Sequence, residues 1–190
     1  MTARWVVDEV KDERDIDVTW QPISLLLKNE PPEGSPYYAG VLATYKMLRV
    51  MESVRTSEGN DGVFALYWEL GTRIHHDGER DFDIVDALES AGLPKSHAAA
   101  FEDQSFDAEI RRRHDAGLKL VGNDVGTPII AMDKADGSRQ GIFGPVITRV
   151  PSRDDSLKLW DGMVAIMSVD GFWELKRART ERPEFGERPS

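Results

Sequence analysis

Thr127-Pro128, set directly before the apolar run Ile129-Ile130-Ala131-Met132, is the arrangement in this chain with the most chemical content. An X-Pro bond adopts cis at little cost, and a proline at the mouth of a strand is a place to expect one. The backbone of Thr127 could then bond an extended thiol or peptide as an added strand would; the plainer alternative is a loop-to-strand turn. Three other side chains have useful chemistry. Asn29 offers both donors and acceptors to a ligand, or simply caps a loop. The phenol of Tyr37 can donate into a cleft, or Tyr37 and Tyr38 pack the start of a helix. His75 titrates near neutrality and could move a proton or recognise a carboxylate, or it is a surface histidine near a helix end. The nucleophile is what is missing. The chain has no cysteine, which removes disulfides, thiolate metal sites and thiol attack together.

Other candidates carry less. His75-His76 with Asp77 and Asp81 lacks a His-x-x-x-His spacing, and adjacent histidines rarely point at one ion, so no metal is expected. Arg111-Arg112-Arg113 beside Glu109 reads as a solvated helix face. Asp154-Asp155 fits the favourable charge at a helix N-terminus rather than a catalytic pair. His97 and His114 read as a helix-face residue and a partly buried one. No Gly-x-Ser-x-Gly is present, and the glycines show no phosphate-binding spacing.

The elements that must position these residues follow from periodicity. Trp5, Val6, Val7 and Val10 recur at helical spacing, predicting a helix from Thr2 to about Arg14. Ile16, Val18 and Trp20 alternate with polar residues, as in a strand that Pro22 ends. Ile23 to Gly34 reads as a loop. Tyr38, Val41, Leu42, Tyr45, Leu48 and Met51 form one helical stripe, and Val63, Phe64, Tyr67, Leu70 and Ile74 a second. Between them lies the breaker Glu58-Gly59-Asn60-Asp61-Gly62. Short helices are expected near Phe82–Leu88 and Ser96–Glu102, and a longer one from Phe106 to Gly122. Strands Ile129–Asp133 and Gln140–Phe143 make a hairpin around Asp136-Gly137. Ser152, with Asp155 three residues on, opens the last helix like a capping box.

The 190 residues carry 34 acidic and 24 basic side chains, a net charge of -10, which argues against nucleic acid or an anionic membrane as the main partner. No apolar run approaches the ~20 residues of a membrane span, and no signal peptide is expected, since the first residues lack a basic start followed by an apolar stretch. A cytoplasmic location is expected, with a homodimer left open.

The order helix, strand, helical insertion, strand, strand, helix resembles a thioredoxin-like, DsbA-type α/β fold with an α-helical insertion, lacking its first central strand. On that resemblance residues 1–34 and 123–178 form the core, 35–122 the insertion and 179–190 a loosely held tail. The likeness extends to detail. Trp5, Asp15–Trp20, Ser24-Leu25, Asn29-Glu30, Arg73-Ile74-His75, Val125-Gly126-Thr127-Pro128, Phe143-Gly144-Pro145, Leu159-Trp160-Asp161 and Glu174-Leu175-Lys176-Arg177 resemble the actinobacterial mycothiol-dependent nitroreductase family. The resemblance implies a cytoplasmic thiol-disulfide oxidoreductase or mycothiol-dependent reductase, with mycothiol as cofactor and a small thiol or disulfide as substrate. It also implies Asn29, Tyr37, His75, Thr127 and Pro128 as binding residues.

The chain departs from that family in one decisive respect. Members begin with a strand and then a Cys-Pro-x-x motif at the N-terminus of the first helix, where the helix dipole and free N–H groups stabilise the attacking thiolate. Aligning Trp5 places Met1 just after that motif. The expectation is a start at an internal Met, with a cysteine-free relative, or a chain completed by a partner's strand, as alternatives. As written the chain is expected to be inactive, since neither Ser24 nor Thr2 can replace a redox thiol. Without the central strand, Ile16–Trp20 and Ile129–Met132 would lie about 10 Å apart, twice the ~4.8 Å of paired strands. A kappa-class glutathione-transferase-like or 2-hydroxychromene-2-carboxylate-isomerase-like enzyme, and a non-catalytic binding module, are the competing functions.

Overall fold

The computed structural model describes residues 1–186 and 188. It is a mixed α/β protein, mostly helical, with one two-stranded sheet, and it divides into two compact units. Of the described residues, 1–18 and 118–186 make up one unit, and 19–117 with 188 the other.

In the first unit, helix α1 (Thr2–Trp5) continues as a π-helical turn, Val6–Val10, and stops short of the expected Arg14 in a turn ending at Asp15, which has a left-handed φ of 49°. Ile16–Val18 forms no strand. The period-two pattern put a strand at Ile16–Trp20. Pattern alone cannot make one, because a strand needs a neighbour within pairing distance. The hairpin does form, from β1 (Ile129–Asp133) and β2 (Arg139–Phe143), paired antiparallel with Ile129 opposite Phe143 and Asp133 opposite Arg139. Among the described residues β1 pairs only with β2, and no ladder joins it to Ile16–Val18. Helix α6 (Arg153–Met167) opens as expected, the Ser152 hydroxyl accepting from the Asp155 amide. Trp5 and Trp160, with ring centroids 5.8 Å apart, centre a core that includes Val6, Val10 and Met163. Ile130 and Met132 of β1 and Ile142 of β2 pack against it.

In the second unit, the segment expected to be a loop contains a helix, α2 (Leu25–Asn29). Its start is built by Ser24, whose hydroxyl accepts from the Leu27 amide and whose own amide donates to Nδ1 of the buried His114, 3.2 Å away. The long stretch α3 (Tyr38–Thr72) is two helices joined at Gly59, where φ 67° and ψ -156° leave the helical region inside the expected breaker. Three residues on, a Cβ at Gly62 would lie 2.5 Å from Cβ of Glu58 and 2.8 Å from Cγ1 of Val54, so the halves close on a bare glycine. Helix α4 (Ile84–Ser90) is capped by Asp83, 3-10 turns run over Lys95–Glu102 and Gln104–Phe106, and α5 (Asp107–Val121) follows. Val50, Val54, Val63, Leu66, Leu70, Ala87, Leu88 and Ala100 form the core.

Two charged groups are buried in this second core, and both are paired. Arg49 grips Asp107 through Nε and Nη2 at 2.6 and 2.9 Å, and its Nη1 reaches the Phe101 carbonyl. Glu52, 3% exposed, takes Arg55 of its own helix and Arg113 of α5 at 3.1 and 3.3 Å. Arg113 also lies 2.7 Å from Glu109. The triple arginine is therefore not a uniformly solvated face: Arg113 turns inward because Glu52 would otherwise be a lone buried charge. At the exposed end of this network Arg112 hydrogen-bonds Glu109 and, with Arg113 beside it, draws the Glu109 carboxyl down to about 2.

Two consequences can be measured. Asp107→Ala, which strands the buried Arg49 guanidinium, should cost roughly 1–3 kcal/mol and lower the urea midpoint, the cost moderated because Asp107 itself is partly solvated. Burial holds the pKa of His114 below the ordinary 6.5. Above that value the ring is neutral folded or unfolded and contributes no pH dependence. Below it the unfolded chain takes up the proton first, so stability should fall as pH drops through the histidine range. A His114→Gln variant should lack this loss when unfolding free energy is followed from about pH 7.5 to 5.5.

Candidate functional site

In the first unit the site residues sit where α5 gives way to β1. The loop passes through Val125 and Gly126, and the Thr127-Pro128 peptide bond is cis. The Pro128 carbonyl accepts from the Gly144 amide at 2.9 Å, which ties the loop to the end of β2. Gly144-Pro145 is a second cis bond, unforeseen in the sequence, and the hydroxyl of the buried Thr2 donates to the Pro145 carbonyl at 2.8 Å. The two proline loops are thus fixed, one to the hairpin and one to the head of α1. Thr127 itself is exposed, and among the described residues no hydrogen bond engages its amide, carbonyl or hydroxyl. A fixed loop with an open backbone can pair with an extended ligand at little ordering cost.

Burial, helped by Arg4, lowers the Met1 ammonium from its ordinary value.

The second unit holds the other three. Asn29 closes α2 and is exposed, followed by Glu30 in a left-handed conformation with φ 41°. Its position depends on residues that sequence reading missed as a set. His114 of α5 holds the Ser24 amide, Ser24 caps α2, and α2 presents Asn29 four residues after Leu25. The one signal was Ser24 itself, a good N-cap ahead of three leucines. Tyr37 lies at the head of α3 and is 76% exposed, so it does not pack the helix start; its amide donates to the Ser35 hydroxyl. His75 is exposed in a π-helical turn, Arg73–Asp77, that extends α3. Partial desolvation is the largest of the causes that lower its pKa, His76 and Arg80 being lesser ones, so the neutral ring dominates at pH 7.

His97, expected on a helix face, is buried between two serines: Nδ1 is 2.9 Å from the Ser53 hydroxyl and Nε2 3.3 Å from that of Ser57. It fastens the 3-10 turn to the first half of α3.

Among the described residues no group of three or more metal-ligating side chains comes together, and no helix is long and apolar enough to cross a membrane. Thr127 in the first unit, and Asn29, Tyr37 and His75 in the second, each carry groups able to bind a ligand, and the His75 ring can take up or release a proton. None of them can carry electrons. A family model described as Rv2466c-like, mycothiol-dependent nitroreductase Rv2466c, matches residues 1–177, and the chain belongs to this family of mycothiol-dependent, thiol-based oxidoreductases.

Proposed function

We propose that this chain is a DsbA-like, thioredoxin-type member of its family that binds mycothiol or a mycothiol-bearing disulfide and, as written, does not turn it over. One observation carries this: a chain matched to a thiol-dependent family over residues 1–177 contains no cysteine. Disulfide exchange needs a thiolate to attack one sulfur and release the other, and a route that passes through a protein-bound mixed disulfide has no protein thiol here to form it. Binding has no such requirement. The open amide and carbonyl of Thr127 suit the extended, amide-rich backbone of a small thiol, and the fixed Pro128 loop holds them ready. A cytoplasmic location belongs to the same proposal.

The residues of the second unit take roles that can be checked one by one. Asn29 supplies donors and acceptors to ligand amides or hydroxyls. Tyr37 donates from its phenol. His75, neutral at pH 7, accepts a hydrogen bond or a thiol proton.

Calorimetry with mycothiol should show binding. Asn29→Ala, Tyr37→Phe and His75→Ala should each weaken it by a few-fold to about tenfold, on the order of one hydrogen bond apiece. Mycothiol with a disulfide or a nitroaromatic acceptor should be consumed no faster than in buffer alone. Turnover by the cysteine-free chain would overturn the proposal. So would an absence of mycothiol binding. His75 should titrate below 6.5 by NMR, and Arg80→Ala should move that midpoint upward. Affinity that depends on the neutral ring should then fade only at pH values below that midpoint.

A further inference from the structure

His75 owes its place to a widened turn of helix. Over Arg73–Asp77 the chain is π-helical, and the Arg73 carbonyl accepts from both the Gly78 amide and the Glu79 amide, the second at 2.9 Å. Gly78 leaves the turn in a left-handed conformation, with φ 72°. Turns of this kind are rare and occur frequently at functional positions. No residue of this one is fully buried, so the apolar core gives it little grip.

The grip comes from the Arg73 side chain. Its Nε donates to Glu69 of α3, one turn earlier, at 2.6 Å. Nη2 donates to the Ser90 hydroxyl at 3.0 Å and reaches the Asp86 carbonyl at 3.4 Å, both in α4. Nη1 lies 3.7 Å from the Glu79 carboxylate, just past the turn. The guanidinium also covers Phe82, 5.4 Å from the ring centroid, and Phe82 packs against the core of the second unit. One side chain thus ties the turn to the helix before it, the residue after it and the helix beside it. That side chain is only 16% exposed, so solvent screens these contacts little. His75, in contrast, is exposed. Residues two apart on a helical turn do not face each other, so Arg73 anchors from one side what His75 presents on another.

We propose that Arg73 is a positioning residue for ligand binding: its guanidinium fixes the π-helical turn and so holds the His75 ring where it meets the ligand. The inference rests on the ligand role proposed for His75 and adds to it a residue that touches no ligand itself. Geometry rather than charge makes Arg73 suitable. A lysine there would keep the charge, but a point-like ammonium on a flexible stem cannot bond Glu69, Ser90 and the Asp86 carbonyl in the directions that a planar fork fixes. Because Arg73→Lys leaves the net charge unchanged, any response of His75 to it reports the loss of that geometry.

NMR and calorimetry on the full chain carrying Arg73→Lys test this. The variant should keep the wild-type circular dichroism spectrum. Its His75 ring resonances should shift, and the titration midpoint should rise toward 6.5 as the loosened turn lets water reach the ring. Mycothiol affinity should fall to within about twofold of that of His75→Ala. The double variant Arg73→Lys/His75→Ala should bind no more weakly than His75→Ala alone, because both changes remove one contact. A variant that is less stable but keeps the wild-type His75 resonances and affinity makes Arg73 a structural ion pair only and overturns the inference. Additive losses in the double variant overturn it equally. If Arg73→Lys does not fold, Ser90→Ala decides: it removes one acceptor at an exposed position and should move resonances and affinity the same way by a smaller step, and no movement overturns the inference. A wild type that does not bind mycothiol, or a His75→Ala chain that binds as well as wild type, overturns the ligand role of His75 and this inference with it; unchanged His75 resonances in Arg73→Lys overturn the inference alone.

Discussion

A two-stranded antiparallel ribbon has too little surface to persist in water alone, so the first unit depends on what covers β1 and β2. The contact of Trp5 with Trp160 does this. It joins the first turn of the chain to its last helix, and Ile130, Met132 and Ile142 pack around it. The packing orients the hairpin, and the Pro128 carbonyl, held by the Gly144 amide, orients the loop that exposes Thr127. Everything said about that loop presupposes two indoles more than a hundred residues apart in the chain. The second unit rests on a different principle. There an aliphatic core encloses two ions, Arg49 and Glu52, each of which is tolerable only because a partner on α5 reaches it.

The proposed chemistry is that of recognition. The backbone groups at Thr127, the amide at Asn29, the phenol at Tyr37 and the neutral imidazole at His75 are each able to hydrogen-bond a polar ligand. None of them can store the two electrons of a disulfide. Membership of a mycothiol-dependent family and the lack of cysteine are compatible once binding and turnover are treated as separate properties. The fixed loop and the thiolate do different work, and the loop survives without the thiolate.

Much of this was legible in the residues because it depends on short-range rules. The break between the halves of α3 falls at Gly59, inside the run marked as a breaker, because glycine alone enters that conformation freely. Ser152 caps α6 because a hydroxyl satisfies an amide that the helix leaves open. The hairpin follows from its turn residues and flanking apolar runs. What could not be read depends on distant partners. Ile16, Val18 and Trp20 alternate like a strand but form none, since alternation describes a face and says nothing about a neighbour. Helix α2 was missed because five residues give no periodicity, and its start is fixed by His114, ninety positions away. Around the candidate loop, the cis bond at Pro128 was accessible. The open backbone of Thr127 and the inward turn of Arg113 were not, for each is defined by what surrounds it in space.

The bare Gly62 has a consequence for how the long helical element can change. With Val54 and Glu58 already against the place a methyl group would occupy, the junction has no spare volume, and bulk added there must be converted into bend. The position acts as a shim: its thickness sets the angle between two rods. Drift in sequence at this one site would re-aim the second rod, and the histidine-bearing turn at its far end, without altering a residue of that turn.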